Sequence, residues 1–314
     1  MHIQLFAGSA HPTVARETAS ALGVPLGACE LGRFPDEESH VRLGESPRGR
    51  DVYILQPTTP PADRHLFELL LMADAARRAG AARITAVVPY LGYARQDRRT
   101  ADHGPVAARV VADAVVASGI DRVVTVDVHT PAIEGFFSIP VEPLTAVPLL
   151  ARAVQEHTDA STVLVAPDLG AAKLVEHFAL ELRSQPAVAM VHKVRVSGTE
   201  VRVTRVTGDV QHRAPVIVDD MITTGGTIEA AVDALLAAGC LPRITVVASH
   251  GLFVGPAVER LRRLPIERIV VTDSVPVTRP IALTLQTVSI GPLLAAAIER
   301  LHKDESRNSV IAHG

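Results

Sequence analysis

Pro215-Val216-Ile217-Val218-Asp219-Asp220-Met221-Ile222-Thr223-Thr224-Gly225-Gly226-Thr227 leads directly into a helical run from Ile228 to Ala238. The β-branched opening predicts a buried strand, and a strand feeding a helix through a short turn is the repeating piece of a parallel α/β sheet. Two carboxylates arrive at the strand's carboxyl end, followed by a Thr-Gly-Gly-Thr turn. Such a turn offers backbone N–H groups, hydroxyls and a helix N-terminus to one phosphate, and its glycines remove the Cβ atoms that would block approach. The aspartates can accept hydrogen bonds from the vicinal hydroxyls of a sugar, so a sugar phosphate is the ligand class the segment suits. A helix N-cap with two solvated acids is the alternative; it accounts for one Asp and one Gly, but poorly for the whole string.

The same grammar runs outward in both directions. Strand-like runs recur at Val52 to Leu55, Ile84 to Val88, Val123 to Val128, Thr162 to Val165, Ile244 to Val247 and Ile269 to Val271. Helical spacing lies between them, as in Leu66, Leu69, Leu70, Met72, Ala73 and Ala76, closed by Gly80. Ala79-Gly80 before Arg83-Ile84-Thr85 is echoed by Ala238-Gly239 before Arg243-Ile244-Thr245, which favours a duplicated α/β unit. At 314 residues two domains are expected. The boundary is placed in the proline-interrupted stretch Pro140 to Pro148, giving domains 1–145 and 146–314, with a helix starting near Leu149 and a frayed tail after Lys303.

Composition narrows the function classes. The chain is 47% hydrophobic and 21% charged with a formal net charge of -3, which predicts a folded globular protein with no extended basic field for nucleic acid. Cys29 and Cys240 are the only cysteines, too few and too far apart for a disulfide framework or a zinc ribbon. Met1 to Phe6 already alternates like a strand with no leader pattern ahead of it, so a cytoplasmic location is expected. Pro280 to Ile298 has no charged residue, but Gln286, Ser289 and Gly291-Pro292 interrupt it; it reads as strand, turn and helix rather than a membrane span. No Walker lysine motif or Gly-x-Gly-x-x-Gly fingerprint occurs.

The segment 215–227 resembles the phosphoribosyl diphosphate motif shared by type I phosphoribosyltransferases and ribose-phosphate pyrophosphokinases. Five further segments make the chain similar to the pyrophosphokinases in particular. They are Phe34-Pro35-Asp36-Glu37-Glu38, Tyr93-Ala94-Arg95-Gln96-Asp97, Asp127-Val128-His129-Thr130 with Pro167-Asp168-Leu169-Gly170, and His192-Lys193-Val194-Arg195. Three departures stand out: Glu37 and Ala171 where the family has glycine, and Thr223 where well-known bacterial members have aspartate. The Thr223 pattern is more like archaeal and atypical bacterial members. A hydroxyl there can hydrogen-bond a ribose but cannot serve as a carboxylate base.

The resemblance implies two type I phosphoribosyltransferase-like α/β domains, with ATP and ribose 5-phosphate meeting at the carboxyl ends of their strands. It implies ATP contacts from Phe34, Asp36, Glu37, Glu38, Arg95, Gln96 and His129. Ribose 5-phosphate would be held by Asp219, Asp220, Thr223, Thr224, Gly225, Gly226 and Thr227, with Arg195. Mg2+ would be ligated by His129 and Asp168, and Lys193 with Arg195 would close over the transferring diphosphate as the catalytic pair. Only three lysines occur in the chain, Lys173, Lys193 and Lys303, which adds weight to one standing at the matching position. The implied assembly is a homo-oligomer of dimers, a hexamer in many members, with no nucleic acid or membrane partner. A phosphoribosyltransferase and a non-catalytic regulatory paralogue are the competing readings. The first leaves the Phe34 loop and the Arg95-Gln96 pair without a reason, and the second usually loses the catalytic loop.

Overall fold

The computed structural model describes residues 2–99, 103–195, 201–278 and 281–303, with the backbone alone for 193–195 and 201–204. The tail after Lys303, read above as frayed, lies outside the described residues. The chain forms two compact units, each built on its own sheet.

The first unit runs β1 (Ile3–Ala7), α1 (Pro12–Leu22), β2 (Leu26–Gly27), β3 (Cys29–Arg33), β4 (Ser39–Leu43), β5 (Asp51–Leu55), α2 (Ala62–Arg78), β6 (Arg83–Val88), α3 (Ala107–Ala117), β7 (Arg122–Val126) and β8 (Val141–Leu144). Its six-stranded sheet has the order β2-β1-β5-β6-β7-β8 and is parallel throughout, while β3 and β4 form a separate antiparallel hairpin. Every residue of β5 is buried, as expected of a parallel strand covered on both faces. One of those faces is filled by Phe6, Val52, Ile54, Leu69, Met72, Ala73 and Val111. Pro12 in the first turn of α1 and the left-handed Gly23 after its last turn mark the helix ends as such residues should.

The second unit runs α4 (Val147–Val154), β9 (Thr162–Ala166), α5 (Ala172–Glu181), β10 (Ala187–Arg195), β11 (Val201–Thr207), β12 (Ala214–Ile222), α6 (Gly226–Ala237), β13 (Ile244–Gly251), α7 (Ala257–Leu261), β14 (Ile266–Thr272) and β15 (Leu285–Val288). Its sheet order is β11-β10-β9-β12-β13-β14-β15, with β10 and β11 the antiparallel pair at one edge. Ile217, Val246, Ile228, Val232 and Leu235 pack within its core. The five parallel strands β9-β12-β13-β14-β15 repeat the order β1-β5-β6-β7-β8, and the echoed glycines Gly80 and Gly239, both at φ 87°, precede equivalent strands β6 and β13.

Helix α4 begins two residues earlier than expected because Pro148 fits the first helical turn, where its missing N–H costs nothing. Strand β7 ends at Val126, two residues early, where Asp127 turns to φ 38°. A further difference concerns the last helix, α8 (Gly291–His302). The reading of 146–314 as one continuous domain does not describe it, since the chain from Ser289 through α8 belongs to the first unit, as do Ser274–Pro276. Helix α8 lies against α1, with Gly291 so close to Glu17 that a Cβ there would approach the Glu17 side chain to 2.9 Å. Among the described residues no helix is long and apolar enough to cross a membrane.

Candidate active site

In the second unit the acids and the glycine turn occupy the carboxyl end of β12, as the sequence required. Gly225 adopts φ 76°, a left-handed conformation open to glycine, and starts α6 without any side-chain cap. The helix cannot use the first amide N–H groups of this turn internally, and Gly225, having no side chain, offers them no cap of its own. Helix α7 forms the floor of this turn. Ala257 and Leu261 lie below Gly225, and Arg260 lies so near Gly226 that an added Cβ would sit 3.3 Å from its Nη1. The Thr223 carbonyl accepts from the Val254 amide at 3.0 Å, which ties the turn to the segment after β13.

Asp219 and Asp220 lie in the same strand shortly before its end at Ile222, and Asp168 follows β9, the strand beside it. Burial, then Asp220 and Asp168 nearby, push the Asp219 carboxyl well above the usual carboxylate range. Burial is the larger cause, and the neighbouring carboxylates add to it. Carboxylate oxygens such as those of Asp168 are the donor type that a hard divalent cation takes. No three ligand-type side chains converge among the described residues, so an ion held here would take much of its coordination from water and substrate oxygens, the habit of magnesium. Asp168 itself accepts from the Ala171 amide at 3.2 Å, opening the turn that leads into α5. Ala171 sits at φ -83°, ordinary backbone for any residue, so the departure from glycine is accommodated without strain.

In the first unit the candidate residues occupy strand ends and one hairpin tip. Phe34 to Glu38 form the turn between β3 and β4, closed by Phe34 N–H to the Glu38 carbonyl and Glu37 N–H to the Phe34 carbonyl, both 2.9 Å. The Asp36 carboxylate accepts from the Glu38 amide at 3.2 Å. Glu37 stands at φ 69°: it keeps the conformation for which glycine is the usual residue, at a cost of about 1–2 kcal/mol. All five side chains are exposed, including Phe34 at 50%, whose ring meets His40 edge-on at 5.3 Å.

Arg95 and Gln96 are exposed in the loop after β6, on a turn closed by Gln96 N–H to the Tyr93 carbonyl at 2.9 Å. Tyr93 hydrogen-bonds Asp63 in the first turn of α2, and the Gly92 amide donates to Thr58 Oγ1 at 2.6 Å. Gly92 has no substitute there, since a Cβ would meet the Thr58 carbonyl at 2.7 Å. His129 is exposed just past β7, followed by Thr130, whose hydroxyl caps the next turn through the Ala132 amide.

Lys193 and Arg195 fall on the outer part of β10, where a register shift between His192 and Lys193 interrupts the pairing with β11. Their side chains, and the loop at 196–200, lie outside the described residues. Two supports escaped the sequence reading. Glu68, buried in α2, accepts from the Ser9 amide at 2.6 Å, the Ser9 hydroxyl at 2.8 Å and Gln56 Nε2 at 2.7 Å, joining the ends of β1 and β5. Arg260 is the other; no local pattern links it to a turn 36 residues earlier.

A family model described as the N-terminal domain of ribose phosphate pyrophosphokinase matches residues 3–119, and one described as a phosphoribosyl synthetase-associated domain matches residues 182–311. The ribose-phosphate pyrophosphokinase of Caldanaerobacter subterraneus is 40% identical over 306 residues, covering 97% of this chain and 96% of its own. That of Agrobacterium fabrum is 41% identical over 307 residues, covering 97% and 98%. The chain belongs to the ribose-phosphate pyrophosphokinase family. A crystal structure of phosphoribosylpyrophosphate synthetase from Mycobacterium smegmatis, 38% identical, matches with a TM-score of 0.90 over 97% of this chain and 100% of its own. Full-length agreement with pyrophosphokinases removes the reason to read the chain as a phosphoribosyltransferase, and the two α/β units are those of this pyrophosphokinase family.

Proposed function

We propose that the protein transfers the β,γ-diphosphate of ATP to the C1 hydroxyl of ribose 5-phosphate, giving 5-phosphoribosyl 1-diphosphate and AMP. The observation that carries this reading is the far part of β12, where the paired acids Asp219 and Asp220 precede a helix N-terminus opened by the left-handed Gly225. Thr224, Gly225, Gly226 and Thr227 hold the 5-phosphate, and Asp219, Asp220 and Thr223 hold the ribose hydroxyls. Phe34 and the Asp36-Glu37-Glu38 tip, with Arg95, Gln96 and His129, hold ATP. His129 and Asp168 are the protein ligands of Mg2+, which when bound neutralises phosphate charge and orients the oxygens for in-line displacement. The chain's own contribution is positioning and charge. Asp219 and Asp220 hold the ribose through its vicinal hydroxyls and so position the sugar, and Lys193 and Arg195 meet the charge that develops on the diphosphate. Thr223 can donate or accept a hydrogen bond but is no base at neutral pH, so no side chain is assigned the departing proton.

The test is AMP formation from ATP and ribose 5-phosphate, with and without magnesium. Formation of AMP only when both substrates and the metal are present is the expected result; ATP turnover independent of ribose 5-phosphate would sink the reading. The protein is further proposed to be a homo-oligomer in which the Phe34 to Glu38 hairpin completes a neighbouring subunit's ATP site. In the same assay, mixed oligomers of inactive Asp36→Ala and inactive Lys193→Ala chains should regain part of the activity, and mixtures that stay inactive would refute a shared site.

Asp219 and Asp220 should contact ribose hydroxyls in ground and transition states alike, and so act mainly on affinity. Asp219→Asn is expected to raise the KM for ribose 5-phosphate more than that for ATP. Equal rises in steady-state titrations of both substrates would mean that these acids hold metal-bound ATP instead.

A further inference from the structure

An acid in the first turn of a helix ordinarily stabilises it, because the N-terminal end of the helix dipole is positive. Glu229 occupies that position in α6, at the same end that, on the reading above, receives the phosphate of ribose 5-phosphate. A carboxylate one turn from a phosphate dianion repels it. The structure holds a counterweight. Arg260 Nε lies 2.8 Å from Glu229 Oε2, and Arg260 Nη1 donates at 2.8 Å to the carbonyl of Thr224, inside the phosphate-binding turn.

We infer that Arg260 is a positioning residue for ribose 5-phosphate: one guanidinium cancels the Glu229 charge and at the same time ties down the phosphate-binding turn through the Thr224 carbonyl. The inference rests on the assignment of Thr224 to Thr227 to the phosphate. The rigid fork of arginine is what allows one side chain to meet both groups; lysine, a single point charge, can satisfy one of them at a time. Both partners are partly solvated, with Arg260 30% and Glu229 40% exposed, and ion pairs of that kind contribute little to folding stability. Loss of Arg260 should therefore appear in substrate affinity and not in the melting temperature.

Four variants, Arg260→Ala, Arg260→Lys, Arg260→Ala with Glu229→Gln, and Thr227→Val, are compared by KM for each substrate, kcat and thermal melting. Arg260→Ala should raise the KM for ribose 5-phosphate about tenfold and that for ATP less than about twofold, with melting nearly unchanged. Arg260→Lys should fall between it and the parent. The double variant should recover much of the loss, because removing the unpaired carboxylate removes the repulsion; this non-additivity is the signature of the pair. A single and a double variant with the same KM would overturn the inference, as would parallel rises in both KM values with a lowered melting temperature. If Thr227→Val raises the KM for ribose 5-phosphate while Arg260→Ala does not, the phosphate assignment stands and the role of Arg260 fails. If Thr227→Val leaves it unchanged, the phosphate assignment fails and takes this inference with it.

Discussion

Lys193→Ala should lower turnover at saturating substrates by about 100-fold to several thousand-fold, equivalent to roughly 3–5 kcal/mol of lost transition-state stabilisation. The topology of β10 is the reason for expecting an effect on turnover and not on binding. Strand β10 pairs with β9 only from Ala187 to Met190; beyond that it is held by β11 alone. Lys193 and Arg195 therefore stand on a two-stranded extension past the main sheet, and an isolated hairpin is marginally stable on its own. Such a segment can order over a substrate whose charge is being redistributed, and its ordering cost then falls in the transition state. Arg195→Ala should behave in the same direction. The measurement is AMP formation under saturating ATP and ribose 5-phosphate, with thermal melting to confirm folding. Turnover within about threefold of the parent, well under 1 kcal/mol, would reduce the hairpin to an ordinary solvated one and remove Lys193 from the catalytic set.

Much of the candidate site was legible because its chemistry sits in contiguous strings at strand ends. Val216 to Thr227 announces a buried strand, two acids, a glycine turn and a helix start in a single reading, and the structure forms the strand, the turn and the helix there, with Gly225 left-handed. The departures were legible as positions but not as conformations. Whether Glu37 could replace a glycine depended on backbone bonds from Phe34 to Glu38 and from Glu37 to Phe34, which hold φ at 69°. What the sequence did not disclose is non-local. Glu68 follows Leu66 in a helical pattern and reads as a solvated face, yet it is buried beneath Ser9 and Gln56. Arg260 belongs to a five-residue helix with no motif of its own. Helix α8 is apolar in the way any core-facing helix is, and nothing in its periodicity says that it returns to the first unit. Its anchor, Asp51, looks like an unremarkable residue before a strand.

That anchor sets the largest stability effect expected in the first unit. Asp51 is fully buried at the start of β5. Arg83 grips it with two bonds, Nε to Oδ1 at 2.8 Å and Nη2 to Oδ2 at 2.6 Å, while Tyr53 donates to Oδ2 at 3.1 Å and His302 Nδ1 lies 2.7 Å from the same oxygen. Arg83 Nη2 also donates to the Leu301 carbonyl at 3.2 Å, so the cluster fastens the end of α8 onto β5 and β6. Burial opposes the charged form of Asp51, but hydrogen bonds from Arg83 and His302, and the Arg83 charge, outweigh it and hold the carboxyl below the usual range. A depressed folded-state pKa contributes stability that is present above the unfolded value, about 3.9, and is lost as pH falls through the folded value. Asp51→Ala removes the carboxylate that the Arg83 guanidinium, about four-fifths buried, grips with two bonds, and breaking a buried pair in this way costs about 3–5 kcal/mol. Denaturant titration should show that loss in the midpoint with little change in slope. The pH dependence supplies an independent check, since the parent should lose stability below about pH 4 while Asp51→Ala, having no carboxylate there to protonate, should show a shallower decline. A variant within 1 kcal/mol of the parent, with the same acid profile, would mean that α8 is held by its apolar contacts with α1 and not by this buried charge.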